Sequence, residues 1–339
     1  MKAKYIMIAA LAAVSVTQTS CEKVSPQGVL MAGTAVEDRV KMSYEYYQQN
    51  NFEDKLDYDL MDMEDGYSFI VGGDSHVTTD PGRMNEMFKI ALDNDDLLMI
   101  HLGDIADTKV EYYNVLQNAI AMAHANYIEK YYEYHEDDGM FYRKGKKNAI
   151  GRYLEDIKYP FFPVVGNHDL THNGWALWSN IFGSSFYSFD IYVGDDPDGK
   201  PQFDHFIFLD TASGTLGQKQ VDLIEEGVLD GKDFYRYTFV FSHTNIFLPS
   251  SLQFASTFPR EEAYFLLKQF DKWNASIVFC GHVHKWDEQL FNGVYFITLD
   301  SMSERNSPNP GDYLVRVKLD REGIVAIEKV HMDYVAPKE

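Results

Sequence analysis

Five apolar, β-like runs in this chain, FIVGG, LLMIHLG, FFPVVG, TFVF and SIVFC, each end on a short polar block. In order the blocks are Asp74-Ser75-His76, Gly103-Asp104-Ile105-Ala106-Asp107, Gly166-Asn167-His168-Asp169, Ser242-His243 and Gly281-His282-Val283-His284. A strand that ends in polar side chains delivers them to the carboxyl edge of its sheet, where α/β proteins place their sites. The runs alternate with helical patterns, which predicts an α/β fold whose polar residues converge at one edge. The first half predicts strand 67–72, helix 83–94, strand 97–102, helices 111–135 and 147–157, strand 161–165 and helix 173–181. The second half adds the strands SFYSFDIYV, HFIFLDTA, YRYTFVF, SIVFC, GVYFITL, YLVRVKL and IVAIEKV, with helices near 217–228 and 260–273. Two mixed β-sheets packed face to face, with helices outside, fit that list.

The chain has 339 residues, and its 45% hydrophobic content supports a substantial core. A net charge of −22 argues against nonspecific DNA or RNA binding, because duplex affinity depends on Lys and Arg neutralising phosphates. A small or metal-screened phosphate substrate is compatible with it. Lys2 and Lys4, the apolar stretch Ile6 to Val16 and the small or polar run Thr17 to Ser20 have the form of an export signal, too short to be a permanent membrane span. Cys21 follows where the lipidated cysteine of a bacterial lipoprotein stands, although Gln18-Thr19-Ser20 departs from the usual box. The expectation is an exported protein of the periplasm or cell envelope, anchored through a lipid on Cys21; an ordinary secretory signal is the alternative. The other cysteine, Cys280, lies in an apolar run and reads as a small buried hydrophobe, so no disulfide framework is expected.

Residues 1–21 thus read as signal, 22–65 as a polar tether and peripheral segment, and 66–335 as the folded domain, with a helical insertion at about 110–158. The insertion carries the Tyr-rich stretch EYYNVLQNAIAMAHANYIEKYYEYHEDDG. Its simpler reading is an outer helix packing an aromatic face on the sheet. The sharper one is a cap whose tyrosines shape a substrate pocket. DDPDGKPQ at 195–202 and DREG at 320–323 read as hairpin turns.

Each polar block has a chemistry. Asp74 and His76, one residue apart on an extended chain, put two metal donors on one side. Asp104 after Gly103 can bridge two cations through its two oxygens, and Asp107 suits an acceptor for the ring nitrogen of a catalytic histidine. Asn167 offers an amide oxygen that binds a cation without lowering its Lewis acidity, while His168 points at substrate. His243, His282 and His284 complete a set large enough for two adjacent metals, the usual device for in-line displacement at phosphorus.

The ordered blocks from Asp74 to His284 resemble the calcineurin-like metallophosphoesterase superfamily. The resemblance implies a four-layer αββα sandwich and two divalent or trivalent transition-metal ions of the Mn, Fe or Zn kind. One ion would be held by Asp74, His76, Asp104 and His284, the other by Asp104, Asn167, His243 and His282. It implies hydrolysis of a phosphate monoester or diester by a hydroxide bridging the ions, with His168 facing the leaving-group oxygen and Asp107 orienting its ring. Thr108-Lys109 stands where the protein Ser/Thr phosphatases of the superfamily carry Arg-Gly, which argues against a dedicated phosphoprotein phosphatase. Lys109, Arg83, His172 and Arg305 are the side chains that could replace that arginine as phosphate contacts. A catalytically silent exported binding protein on the same fold is the rival from another functional class. There is no Gly-x-Ser-x-Gly elbow, Walker loop or dinucleotide fingerprint to support other chemistry.

Overall fold

The computed structural model describes residues 34–61, 66–232, 234–247, 258–303 and 314–333. The signal segment with Cys21, and Arg305, lie outside them. Among the described residues the helices are α1 (Val36–Tyr47), α2 (Gly82–Asp93), α3 (Val110–Tyr131), α4 (Gly174–Phe182), α5 (Gly217–Glu225) and α6 (Arg260–Lys272). The strands are β1 (Tyr67–Gly72), β2 (Leu98–His101), β3 (Tyr132–His135), β4 (Met140–Arg143), β5 (Phe161–Pro163), β6 (Tyr187–Asp195) and β7 (Pro201–Phe208). Then follow β8 (Tyr237–Phe241), β9 (Ala275–Cys280), β10 (Asp287–Phe291), β11 (Val294–Thr298), β12 (Leu314–Leu319) and β13 (Ile324–Val330).

The strands build two mixed sheets, in the order β13-β12-β1-β2-β5 and β10-β11-β9-β8-β7-β6. In the first, β1, β2 and β5 run parallel while β12 and β13 return as the hairpin expected around DREG. In the second, β7, β8, β9 and β11 run parallel, with β6 and β10 antiparallel at its borders. A core of aromatic side chains lies between the sheets: Phe69 of β1 meets Phe206, Phe239, Phe241 and Phe279 edge to face, with centroids 5.2–6.3 Å apart. Edge-to-face contact is the arrangement the ring quadrupole favours. A second core packs α2, α3 and α4 on the outer face of the first sheet through Met87, Phe88, Leu116 and Trp178. A third packs α1, α5 and α6 on the outer face of the second through Val40, Leu223, Leu266 and Cys280, where burial pushes the thiol up from its ordinary range. The result is the four-layer αββα arrangement.

Three stretches differ from the sequence reading. The helix expected to reach residue 135 stops at Tyr131, because Tyr132-Glu133-Tyr134-His135 pairs with β4 as a hairpin. Its turn closes through Gly139 at φ 74° and Asp138, whose carboxylate accepts from the Met140 N–H and the Tyr142 hydroxyl. The helix expected over 147–157 is a single 3₁₀ turn, Leu154–Asp156, since Arg152 bridges to Phe141 through two backbone hydrogen bonds of 2.9 Å. Finally, much of the segment expected to be tether and periphery is built into the fold. Arg39 and Val40 of α1 are buried, and Phe52 stacks on Tyr187 at 3.8 Å.

Candidate metal centre

All five polar blocks emerge at the carboxyl edges of the parallel strands, and the first two continue as a ladder beyond β1 and β2. The N–H groups of Asp74, His76 and Val77 donate to the carbonyls of Gly103, Asp104 and Ile105, and Asp107 donates back to Val77, at 3.0–3.1 Å. The backbone of the blocks is in an unusual state. Asp74, His76, Asp104, His282 and His284 have φ between 44° and 70°. Left-handed backbone at non-glycine residues is sparsely populated and concentrates where function requires it. Gly103 and Gly166 let the loops touch: a Cβ on Gly103 would lie 2.7 Å from both the Gly166 nitrogen and His243 Nδ1, and Gly103 itself has φ 91°. Gly103→Ala is therefore expected to separate the second and third blocks and to cost at least about 1 kcal/mol in backbone strain alone. Thermal melting and metal uptake, measured together, check it.

Two groups of side chains share Asp104, and a third, His76, Asp107 and His168, stands at their mouth. Ligand-capable atoms of Asp74, His76, Asp104 and His284 lie within 4.8 Å of one another, as do those of Asp104, His243 and His282. Asn167 joins the second group, its Oδ1 2.9 Å from His243 Nε2. One oxygen of Asp104 serves both groups. Oδ2 stands 3.8 Å from His76 Nε2 and 3.5 Å from His243 Nε2, while Oδ1 accepts the His168 N–H at 2.7 Å. Asp104 thus stands between the two groups, where it would contact both cations.

The donor set fits cations. His243 Nδ1 donates to the Leu102 carbonyl at 2.7 Å, which leaves the Nε2 lone pair facing the oxygens of Asn167 and Asp104. His76 Nδ1 donates to Asp107 at 3.1 Å, which turns Nε2 toward His284 Nε2, 3.4 Å away. Ring nitrogens this close to oxygens and to each other need a cation between them, a proton or a metal ion, and an imidazole held by its other nitrogen is the usual metal-ligand geometry. The field has the matching sign. Burial opposes charge on His76 and His243, yet the surrounding carboxylates outweigh it and hold both imidazoles above their ordinary range. Burial, with His243 nearby, holds His282 below it.

Several residues that the sequence reading did not assign support this shell. Asp169, fully buried, accepts from the N–H groups of Ile105 at 3.1 Å and Gly166 at 2.8 Å, and from the Tyr113 hydroxyl at 3.0 Å. Burial and the Asp104 carboxylate push it up to about 7. Thr211, three residues beyond β7, accepts the N–H of His243 and Thr244 through its hydroxyl, both at 3.0 Å. Ser301, beyond β11, donates to the Asp74 carbonyl at 2.8 Å. LDTA and TLDS are also apolar runs ending in polar residues, so a sixth and a seventh strand end were visible in the chain.

At the mouth, His168 exposes 48% of its side chain, with its ring 4.6 Å from that of His76. Asp107 lies closer to His76 (3.1 Å) than to His168 Nδ1 (3.9 Å), so in this geometry it fixes the His76 ring, not primarily that of His168. Of the phosphate-contact candidates, Lys109, whose Nζ donates to the Tyr112 hydroxyl at 3.1 Å, and His172 are exposed, whereas Arg83 is buried on α2. The tyrosines at the far end of the insertion helix do not cap the site. α3 starts beside the site, and its 22 residues carry Tyr131 about 30 Å along the helix to Asp95, where the Tyr131 hydroxyl donates at 2.6 Å. Tyr127, Tyr131 and Tyr132 instead pack with Phe141 and Ile157 at the opposite sheet edge.

A model of the calcineurin-like phosphoesterase family matches residues 67–286. Among solved structures, GAP50, the anchor in the inner membrane complex of Plasmodium, aligns at 15% identity with a TM-score of 0.48, over 79% of this chain and 89% of that one. A dimetal phosphatase from Danio rerio aligns at 12% identity and TM-score 0.41, over 78% and 98%. A Thermus thermophilus protein aligns at 10% identity and TM-score 0.43, over 78% and 98%. A search of curated proteins finds no match.

Proposed function

The chain belongs to the calcineurin-like phosphoesterase family, and from that premise we propose that it is an exported enzyme hydrolysing small phosphate esters at a centre of two metal ions. The observation that carries this reading is the pair of buried donor groups meeting at one oxygen of Asp104, with His168 exposed at their mouth. Asp74, His76, Asp104 and His284 would hold one ion, and Asp104, Asn167, His243 and His282 the other; oxygen, amide and imidazole donors suit Mn, Fe or Zn. Such ions, when bound, activate water and neutralise charge on the phosphoryl oxygens.

The chain's own residues supply the rest. Asp107 holds the His76 tautomer, Leu102 and Thr211 aim His243, and Asp169 keeps the second and third blocks in contact. His168 gives a proton to the departing oxygen, with Asp107 near enough to support the charge on its ring. Lys109 and His172 are the exposed groups that would meet a phosphate. The net charge of −22 would repel nucleic acid, so the substrate is a small phosphorylated molecule, monoester or diester. Among the described residues no helix is long and apolar enough to cross a membrane, and attachment to the envelope would run through lipid on Cys21; Cys21→Ser should then release the protein from membranes.

The test is metal analysis of protein purified without chelator, followed by assays with p-nitrophenyl phosphate and bis-p-nitrophenyl phosphate in Mn, Fe and Zn. Hydrolysis of either ester that chelation stops supports the reading. Failure with both esters and all metals would favour a binding protein on this fold.

A further inference from the structure

The insertion helix α3 places its tyrosine cluster far from the metal centre, yet one tyrosine of its first turns reaches the residues that build it. Tyr113 is 2% exposed, and its hydroxyl donates to Asp169 Oδ1 at 3.0 Å. The same oxygen accepts the N–H of Ile105, directly after Asp104, and Asp169 Oδ2 accepts the N–H of Gly166, directly before Asn167. Asp169 is therefore a clamp between two loops, and Tyr113 is its side-chain donor from a third element. The remaining candidate ligands are fixed differently: Asp74 and His76 by the ladder to Gly103 and Asp104, and His243 by Leu102 and Thr211.

We propose that Tyr113 is a positioning residue for the ion held through Asn167, acting by orienting the Asp169 carboxylate that keeps the second and third blocks in register. This deepens the two-metal reading above and rests on it. A phenylalanine at 113 would keep the ring in its packing and remove only the donor. Asp169 would then be held by its two backbone donors alone, Asn167 would lose part of the support that fixes its loop, and the group of Asp74, His76 and His284 would keep its own supports. Two unequal binding sites should respond unequally.

The experiment is calorimetric titration of metal-free protein with Mn²⁺, comparing wild type, Tyr113→Phe and Tyr131→Phe, with thermal melting of each. Tyr131 is the control because its hydroxyl also donates to a carboxylate, Asp95, from the far end of the same helix. Tyr113→Phe is expected to weaken one of two binding events on the order of 10–100-fold, the usual cost of removing an outer-shell partner, and to leave the other unchanged. Tyr131→Phe should leave both binding events unchanged. The inference is overturned if Tyr113→Phe binds both ions as wild type does. It is also overturned if both events weaken together with melting temperature, or if Tyr131→Phe produces the same loss. Failure of wild-type protein to take up metal would instead overturn the two-metal reading, and this inference with it.

Discussion

His168→Ala should retain its metal and lose turnover, with kcat falling on the order of 10²–10⁴-fold, the contribution of a well-placed general acid. The metal should stay because the hydrogen bond from His168 to the ligand shell is made by its backbone: the N–H to Asp104 Oδ1 at 2.7 Å survives the substitution, and only the edge-to-face contact with the His76 ring is lost. The imidazole belongs to neither of the two ligand groups that share Asp104. It is half exposed, so its loss should change folding stability by no more than about 0.5 kcal/mol. The deficit should also depend on the leaving group. p-Nitrophenolate departs without a proton, so its esters should suffer least, and alkyl phosphates should suffer most. Metal content by elemental analysis and kcat on a series of leaving groups check both halves. If the variant lost metal but recovered normal specific activity on reloading, the proton-donor role would be wrong.

The positions of Asp74, Asp104, Asn167, His243, His282 and His284 were readable in the chain because each terminates a run that can only be a strand. A strand end has one destination in a parallel sheet, so sequence order translated into spatial convergence. What could not be read was which atom serves which neighbour. Asp107 sits closer to His76 than to His168 because the parallel ladder continues from β1 and β2 into the loops, and no spacing rule reveals that Val77 and Ala106 pair. Asp169 was visible as the last letter of its block, but its function as a clamp depends on Ile105 and Tyr113, both distant in sequence. The insertion misled for a related reason. Aromatic content marks a face that must be buried, without saying at which end of a helix of about 33 Å the burial occurs. The Tyr132–Arg143 hairpin was hidden because its tyrosines suit either a helix or a strand, and only the Asp138-Gly139 turn separates the two.

Arg39→Ala should be the most destabilising single substitution in the amino-terminal helix, by about 3–5 kcal/mol, the usual penalty for leaving a buried charge without its partner. Arg39 is 1% exposed and grips Asp210 with two nitrogens, Nη2 to Oδ1 at 2.9 Å and Nε to Oδ2 at 3.1 Å. The Ser185 hydroxyl also donates to Asp210 Oδ2, at 2.8 Å, so the pair is embedded in a buried polar network. At about 2–4 °C per kcal/mol, the melting temperature should fall by roughly 10 °C. The double variant Arg39→Met/Asp210→Leu should cost less than the two single variants summed, because neither charge is then stranded. The effect should also reach the metal centre. Asp210 precedes Thr211, whose hydroxyl accepts the N–H of His243 and Thr244 and whose carbonyl accepts the Thr244 hydroxyl at 2.9 Å. Loosening α1 should therefore weaken the ion held through His243 before the fold itself melts. Metal affinity measured well below the melting temperature separates this coupling from simple instability: wild-type affinity in a destabilised Arg39→Ala would show that α1 braces the second sheet without bracing its ligand.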